Sequence, residues 1–282
     1  IEPEKADGYI SEGKFNFLAM GRKLLADANL PNKLKNNKLH HVKPCQYSYE
    51  CVSRIFLNGQ MVCASDVGLG KKDKNYSKRK LIIVGAGPAG LELALQAAKR
   101  NIKVSIYEKQ EFIGGNLIGA SLIYKPYREL LNYYQASIKN KLIDLHLKTE
   151  LLLVDIEKEF LNDQDIIIAS GGVPCSSISN AVNIQSWLNP IIIDNKGDID
   201  SVELAIKEKK YNNCAILGTD TIQLHLAAFL NSIGINVSLV RNSKVIGGSM
   251  PVVLRWKVLD ELADHVPVIS KKEYVDREFD IT

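Results

Sequence analysis

The sequence predicts an α/β fold of parallel sheets covered by helices, and two observations carry the prediction. From residue 81 onward, short apolar runs of four or five residues alternate with helical patterns, and such alternation makes the helices crossovers between parallel strands. Twice, near 81 and near 214, an apolar strand leads into a glycine, a helix and a second strand, which suggests two related units. A chain of 282 residues with 46% hydrophobic content can bury cores of this size, and its length favours about two domains.

The elements follow in order. A short helical piece precedes the apolar run FNFLAM (15 to 20), a tight turn at Gly21-Arg22 and the helical pattern KLLADANL, which reads as one strand, a turn and one helix. Next comes PCQYSYECVSRIFLNGQMVC (44 to 63), with thiols at Cys45, Cys51 and Cys63 and a serine, Ser48, where even spacing would place a fourth. Three of the chain's five cysteines crowd this stretch. That is not the scattered, even set of a disulfide scaffold, so a reducing compartment, the cytoplasm, is expected. On the residues alone the segment is a metal site, for iron or zinc, or three unrelated thiols. The stretch KKDKNYSKRK (71 to 80) holds six basic residues and one acid, more than the whole formal net charge of +4. It reads as a solvated linker. The nearly neutral remainder lacks the basic face that phosphate tracking needs, so no nucleic-acid partner is expected.

Beyond the linker, strands are predicted at 81 to 84, 103 to 107, 144 to 148, 165 to 169, 214 to 217, 236 to 240 and 266 to 269. Helices are predicted at 88 to 100, 126 to 139, 199 to 208, 221 to 233 and 254 to 264. The most apolar window, LIIVGAGPAGLELALQAA, is interrupted by GAGPAG and Glu92, so it cannot serve as an unbroken bilayer span, and no membrane partner is expected. No signal-peptide pattern is read. The chain starts at Ile1 without a methionine, and EYVDREFDIT stops within an α/β pattern, so a portion of a longer polypeptide is expected.

LIIVGAGPAGLELALQAAKRNIKVSIYEK places the turn Gly85, Ala86, Gly87, Pro88, Ala89 and Gly90 directly after a strand and at the start of a helix. The first glycine permits the turn, the second lets backbone approach a pyrophosphate, and the third lets helix and strand pack closely. The helix N-terminus adds N–H groups and positive potential for the phosphates. Glu108, 18 residues after Gly90 and followed by Lys109, is placed to accept hydrogen bonds from an adenosine ribose. FAD and NAD share this geometry, so the turn predicts a Rossmann-like dinucleotide site without choosing between them. In the second unit, CAILGTDTIQLHLAAFLNSIGINVSLVRN, only Gly218 survives of the three glycines, with Asp220 and Gln223 in the other places. A carboxylate at the closest backbone approach repels a pyrophosphate, so nicotinamide binding is disfavoured there. Arg241, at the end of the following strand, favours NADP over NAD if either binds. His225, within an apolar helical face, reads as a packing residue.

GAGPAG, then EFIGGNL with Gly115 and Asn116, then DIIIASGG with Gly171 resemble the FAD-binding domains of the two-dinucleotide flavoproteins, which makes FAD the expected occupant. Taken in sequence, FNFLAMGRKLLADANLPNKL, the cysteine segment, KRKLIIVGAGPAGLELA and YEKQEFIGGNL resemble the multidomain relatives of old yellow enzyme, such as 2,4-dienoyl-CoA reductase and trimethylamine dehydrogenase. The resemblance covers nearly the whole chain. It implies an FMN-containing (β/α)8 barrel of which residues 1–40 are the last β/α unit. An iron-sulfur segment (41–70), the linker (71–80), an FAD-binding domain (81–190) and a degenerate, incomplete NAD(P)-type domain (191–282) follow. It also implies that Gly21 and Arg22 hold the FMN phosphate, FMN requiring a complete barrel, and that Cys45, Ser48, Cys51 and Cys63 occupy the ligand places of a [4Fe-4S] cluster. Serine ligation, a three-iron cluster and loss of the cluster all stay open.

The activity so implied is that of a flavin oxidoreductase. A reduced nicotinamide gives hydride to FAD, electrons pass through the cluster to FMN, and FMN reduces an activated carbon–carbon double bond of a small-molecule substrate. No catalytic acid or base is assigned, and homo-oligomerisation is left open. Three alternatives are kept: a trimethylamine-dehydrogenase-like enzyme with a non-functional NAD site, a glutamate-synthase-type electron-transfer subunit, and a truncated nucleotide-binding module without redox chemistry.

Overall fold

The computed structural model describes residues 3–70, 80–152, 154–155, 157, 164–172, 181–241, 243–270 and 273–274. The linker expected at 71 to 80 lies outside the described residues except for Lys80. Among the described residues, four helices precede the first strand: α1 (Pro3–Ser11), α2 (Gly21–Ala26), α3 (Leu30–Lys35) and α4 (Glu50–Phe56), with a 3-10 turn at Leu39–His41. The first nucleotide-binding unit comprises β1 (Leu81–Val84), α5 (Pro88–Lys99), β2 (Val104–Tyr107), α6 (Asn116–Ile123), α7 (Pro126–Ser137), β3 (Ile143–His146) and β4 (Asp165–Ile168). Next come α8 (Ile184–Asp194), α9 (Ile199–Glu208), β5 (Asn213–Leu217), α10 (Thr221–Ser232), β6 (Asn236–Val240), α11 (Val252–Leu262) and β7 (Val268–Ile269). α8 crosses residue 190, where the sequence reading divides the two units.

Both sheets are parallel, in the orders β3-β2-β1-β4 and β5-β6-β7. The central strands are apolar on both faces, as parallel strands covered by helices must be. Ile82, Ile83, Val104 and Ile106 in the first sheet and Val237, Leu239 and Val240 in the second are all buried. One continuous apolar cluster joins the two sheets, running from Ile83, Leu91 and Ile106 through Ile118, Leu188 and Ile192 to Leu224 and Leu239. The helix α6 sits at its centre, touching α7, α8, α9 and α10.

Three helices escape the sequence reading: α4 within the cysteine segment, α6 and α8. α6 (NLIGASLI) is apolar all round and carries Gly119 at its middle, so it shows no amphipathic period; a β-carbon on Gly119 would lie 2.8 Å from Leu188 Cδ2, which is how closely α6 approaches α8. In α8 the interior Pro190 reads as a helix breaker. Asn183 caps the helix by accepting from Gln185 N at 2.8 Å, and Leu188, Ile191 and Ile192 are buried. Tertiary packing outweighs the lost backbone bond.

The N-terminal expectation is corrected in two places. FNFLAM forms no strand: nothing among the described residues pairs with it, and Phe17 is 91% exposed. Backbone donors and acceptors in a strand need a neighbour. The single helix over KLLADANL is two, because Asp27 leaves the helical region (φ −147°, ψ 95°). Its carboxylate accepts from Asn29 N (3.1 Å), Lys43 N (2.8 Å) and Lys33 Nζ (2.5 Å), the local competition through which aspartate interrupts helices. The cysteine segment docks on α5 through a buried ion pair: Lys43 Nζ lies 2.6 and 2.7 Å from the two carboxylate oxygens of Glu92, which also accepts from Gln96 Nε2 (2.8 Å) and the Tyr134 hydroxyl (3.2 Å).

Candidate dinucleotide site

The site begins where β1 ends. Gly85 has φ +108°, and its N–H donates to Tyr107 O at 2.8 Å. A β-carbon here would meet the Ala169 carbonyl oxygen at 2.5 Å, so the loop after β4 closes on bare backbone. At Gly90 a β-carbon would lie 2.1 Å from Gly85 O, which makes this glycine the condition for α5 to start against the turn. Gly87 differs: nothing lies within 4 Å of where its side chain would be, and no side chain caps α5 there. The open place at a bare helix N-terminus is a cradle for a pyrophosphate. Pro88 and Ala89 are exposed at this end and Ala86 is buried beneath it.

Glu108, just past β2, holds the turn from below. One carboxylate oxygen accepts from Ala86 N (2.8 Å) and the other from Gln110 N (2.9 Å). The loop after β2 then returns over the cradle: Gly114 N donates to Ala86 O at 2.8 Å, and a β-carbon on Gly115 would lie 3.3 Å from Gly87 Cα. Gly115 and Asn116 are exposed at the start of α6, so two helix N-termini meet at one open place. A cavity of about 670 Å³ extends from there between Ala89, Asn116 and Leu117 and the residues Ala64 and Ser65 of the cysteine segment. Gly171 is exposed, with φ +82°, in the loop after β4, the loop whose Ala169 touches Gly85. Lys109 points to solvent beside Glu108.

The cysteine segment is arranged differently. Cys45, Cys51 and Cys63 are half-buried free thiols, with Cys51 in the first turn of α4. Among the described residues no three His, Cys, Asp or Glu side chains converge on a point where a metal ion would sit. Burial pushes the Cys45 thiol up, against the pull of the Tyr47 backbone N–H and the Arg22 guanidinium, and Cys63 and Cys51 raise it further. Ser48 is flanked by two tyrosines in the left-handed region, Tyr47 at φ +51° and Tyr49 at φ +60°. Their rings stand 5.2 and 4.6 Å from the Arg22 guanidinium, whose Nη1 is buried without a hydrogen-bond partner. Gly21 beside it faces open space. Tyr124, the residue that ends α6, donates its hydroxyl to Tyr47 O at 3.0 Å and lays its ring 4.6 Å from that of His225 on α10. Burial lowers the pKa of His225, as its reading as a packing residue requires.

The second unit repeats the first with a regularity that the sequence reading missed. Gly218 matches Gly85 in conformation (φ +107°), and its N–H donates to Val240 O at 3.0 Å. The signal was present in KVIGGSM, the counterpart of EFIGGNL: Gly218 and Gly247 are 29 residues apart, as are Gly85 and Gly114. Gly247 N donates to Thr219 O at 2.6 Å, as Gly114 N does to Ala86 O. In this register Asp220 replaces Gly87, Gln223 replaces Gly90, Arg241 replaces Glu108 and Ser249 replaces Asn116.

Residues 79–276 match the family described as pyridine nucleotide-disulphide oxidoreductase. The chain belongs to this family. Membership in the pyridine nucleotide-disulphide oxidoreductases makes it an oxidoreductase and implies FAD and NAD(P) as cofactors. Among relatives, the chain is 29% identical over 250 residues to a cinnamate reductase of Clostridium sporogenes, covering 85% of this chain and 35% of that protein. It is 26% identical over 277 residues to an NADH oxidase of Thermoanaerobacter brockii, covering 92% and 40%. Among solved structures, a 2-naphthoyl-CoA reductase superposes with a TM-score of 0.78 at 24% identity, over 95% of this chain and 41% of that one. A histamine dehydrogenase from Rhizobium sp. 4-9 gives 0.72 at 17% identity, over 95% and 41%. These likenesses reach beyond the family match into the cysteine segment and the helices before it, so the two solved structures share this chain's fold over nearly its whole length. The chain spans about two fifths of the length of these relatives. Among the described residues no helix is long and apolar enough to cross a membrane.

Proposed function

We propose that the chain is the FAD-holding electron-transfer part of a flavin oxidoreductase that reduces an activated carbon–carbon double bond of a small-molecule substrate, in the manner of an enoate or enoyl-thioester reductase. The observation that carries this reading is the first cradle. Bare backbone at Gly87 faces Gly115 at the joined N-termini of α5 and α6, while Glu108 holds Ala86 from beneath. These residues fit FAD. The α5 and α6 N-termini would take the pyrophosphate, Glu108 and the exposed Lys109 would stand at the ribose, and the cavity toward Ala64 and Ser65 offers room for the remainder. FAD supplies, when bound, the ability to take a hydride and release electrons singly. The reductase names of two relatives support the direction of the chemistry.

The Arg22 Nη1, buried without a hydrogen-bond partner beside open space at Gly21, fits a phosphate such as that of FMN. Cys45 lies near enough to Cys51 and Cys63 to feel both thiols, but with Ser48 in place of a fourth the segment lacks the four-thiolate set of a [4Fe-4S] cluster. We propose that the segment descends from such a site. The test is direct. Purified protein should show the near-ultraviolet and blue absorption bands of oxidised flavin, and Glu108→Ala should lower flavin retained per chain at least tenfold. A colourless wild-type preparation, or full retention by Glu108→Ala, defeats the proposal.

A further inference from the structure

The repeat within the chain provides an internal reference for the second nucleotide unit. In the first unit nothing occupies the side-chain place at Gly87. In the second the corresponding residue is Asp220, and its carboxylate lies across the N-terminus of α10. It accepts from Thr221 N at 3.0 Å and Ser249 N at 3.3 Å, and takes a short hydrogen bond from the Ser249 hydroxyl. Thr221 and Ser249 share a further hydroxyl contact at 3.2 Å. The bonds from Ser249 lead the causes that hold the Asp220 carboxyl below the ordinary aspartate range. These donors, two backbone N–H groups and a hydroxyl around a helix start, are the set that binds an anion.

We infer that Asp220 is a built-in anion which fills the pyrophosphate cradle of the second unit, so that this unit takes no dinucleotide. Three further features agree. Gln223 stands where the first unit has Gly90, the glycine whose β-carbon would collide with the turn. Ser249, the counterpart of Asn116, turns its hydroxyl to Asp220 rather than outward. Arg241, at the place of Glu108, spends its guanidinium on its own loop, with Nε donating to Ser243 O (2.9 Å) and Nη2 to Lys244 O (2.5 Å). A pyrophosphate entering here would lose three donors already engaged and meet a fixed negative charge at contact distance. A nicotinamide dinucleotide is therefore not held in this unit, which departs from what family membership implies.

The experiment is a binding titration of the whole chain with ADP-ribose and with NADH, followed by calorimetry, for wild type, Asp220→Gly and Asp220→Asn. Wild type should show no saturable binding at the second unit up to millimolar ligand. Asp220→Gly should gain affinity for ADP-ribose by tenfold or more, and Asp220→Asn, which keeps a capping side chain but removes the charge, by a smaller factor. Saturable micromolar binding by wild type at one site beyond FAD overturns the inference, as does a folded Asp220→Gly with no gain. Should Asp220→Gly fail to fold, Asp220→Asn decides on the same two readings. Flavin absorbance of the same samples keeps the two proposals separable: a colourless protein defeats the FAD assignment and leaves this result standing.

Discussion

Replacing Lys43 by methionine removes one half of the buried pair that fastens the cysteine segment to α5. Lys43 is 6% and Glu92 13% exposed at the side chain, and Nζ touches both carboxylate oxygens at 2.6 and 2.7 Å. Methionine fills a similar volume, so the loss is electrostatic: among the described residues Glu92 keeps a charge answered by the hydrogen bonds of Gln96 and Tyr134. Breaking one side of a buried pair costs about 3–5 kcal/mol, whereas replacing both sides by apolar groups is close to neutral. The expected series is a loss of about 3–5 kcal/mol for Lys43→Met, a comparable loss for Glu92→Met, and a much smaller one for the double variant. In urea unfolding followed by tryptophan fluorescence, with a slope of about 3 kcal/mol per molar, the single variant's midpoint falls by about 1–2 M. A loss below about 1 kcal/mol for Lys43→Met, or a double variant as weak as the sum of the singles, would refute the reasoning, because the pair would then be neither buried nor coupled.

Two more outcomes follow from the geometry. Gly90→Ala places a β-carbon 2.1 Å from Gly85 O, a backbone atom that cannot yield without opening the turn; unfolding should cost about 3 kcal/mol or more and flavin should be lost, while Gly21→Ala, which meets nothing within 4 Å, should unfold as wild type does. Burial raises the phenol of Tyr133 to about 12 and also raises Tyr124, Tyr127 and Tyr134. The folded chain therefore holds these protons more tightly than the unfolded one. The stability they contribute is complete below the ordinary tyrosine value of about 10 and drains away between pH 10 and 12 as the unfolded chain ionises. Unfolding free energy measured across that window should fall with pH and fall less steeply in Tyr133→Phe; a slope unchanged by that replacement contradicts the burial argument.

The parts legible in the sequence were those written in local pattern. Strands such as LIIV and the turn Gly85 to Gly90 announce themselves because apolar period and glycine placement are properties of neighbouring residues. Asp220 was legible as a misfit, since a carboxylate in place of a glycine violates the backbone-approach rule. That it satisfies the helix it blocks was not, because Ser249 lies 29 residues away. The same distance problem hid the Lys43–Glu92 pair, 49 residues apart, and the packing that lets α8 run through Pro190. FNFLAM failed for the opposite reason: its local pattern is that of a strand, but a strand is completed by a partner, and none pairs with it among the described residues.

Tyr47 and Tyr49 hold backbone angles that a tyrosine avoids, at a cost of order 1–3 kcal/mol each. What keeps them there comes from outside their own loop: the Tyr124 hydroxyl from the end of α6 and the Arg22 guanidinium between their rings. The shape around Ser48 is therefore on loan from the surrounding fold. A peptide spanning residues 44 to 63, cut free to study its thiols, should relax out of that shape, and its affinity for iron or zinc would describe a different object from the loop in the protein.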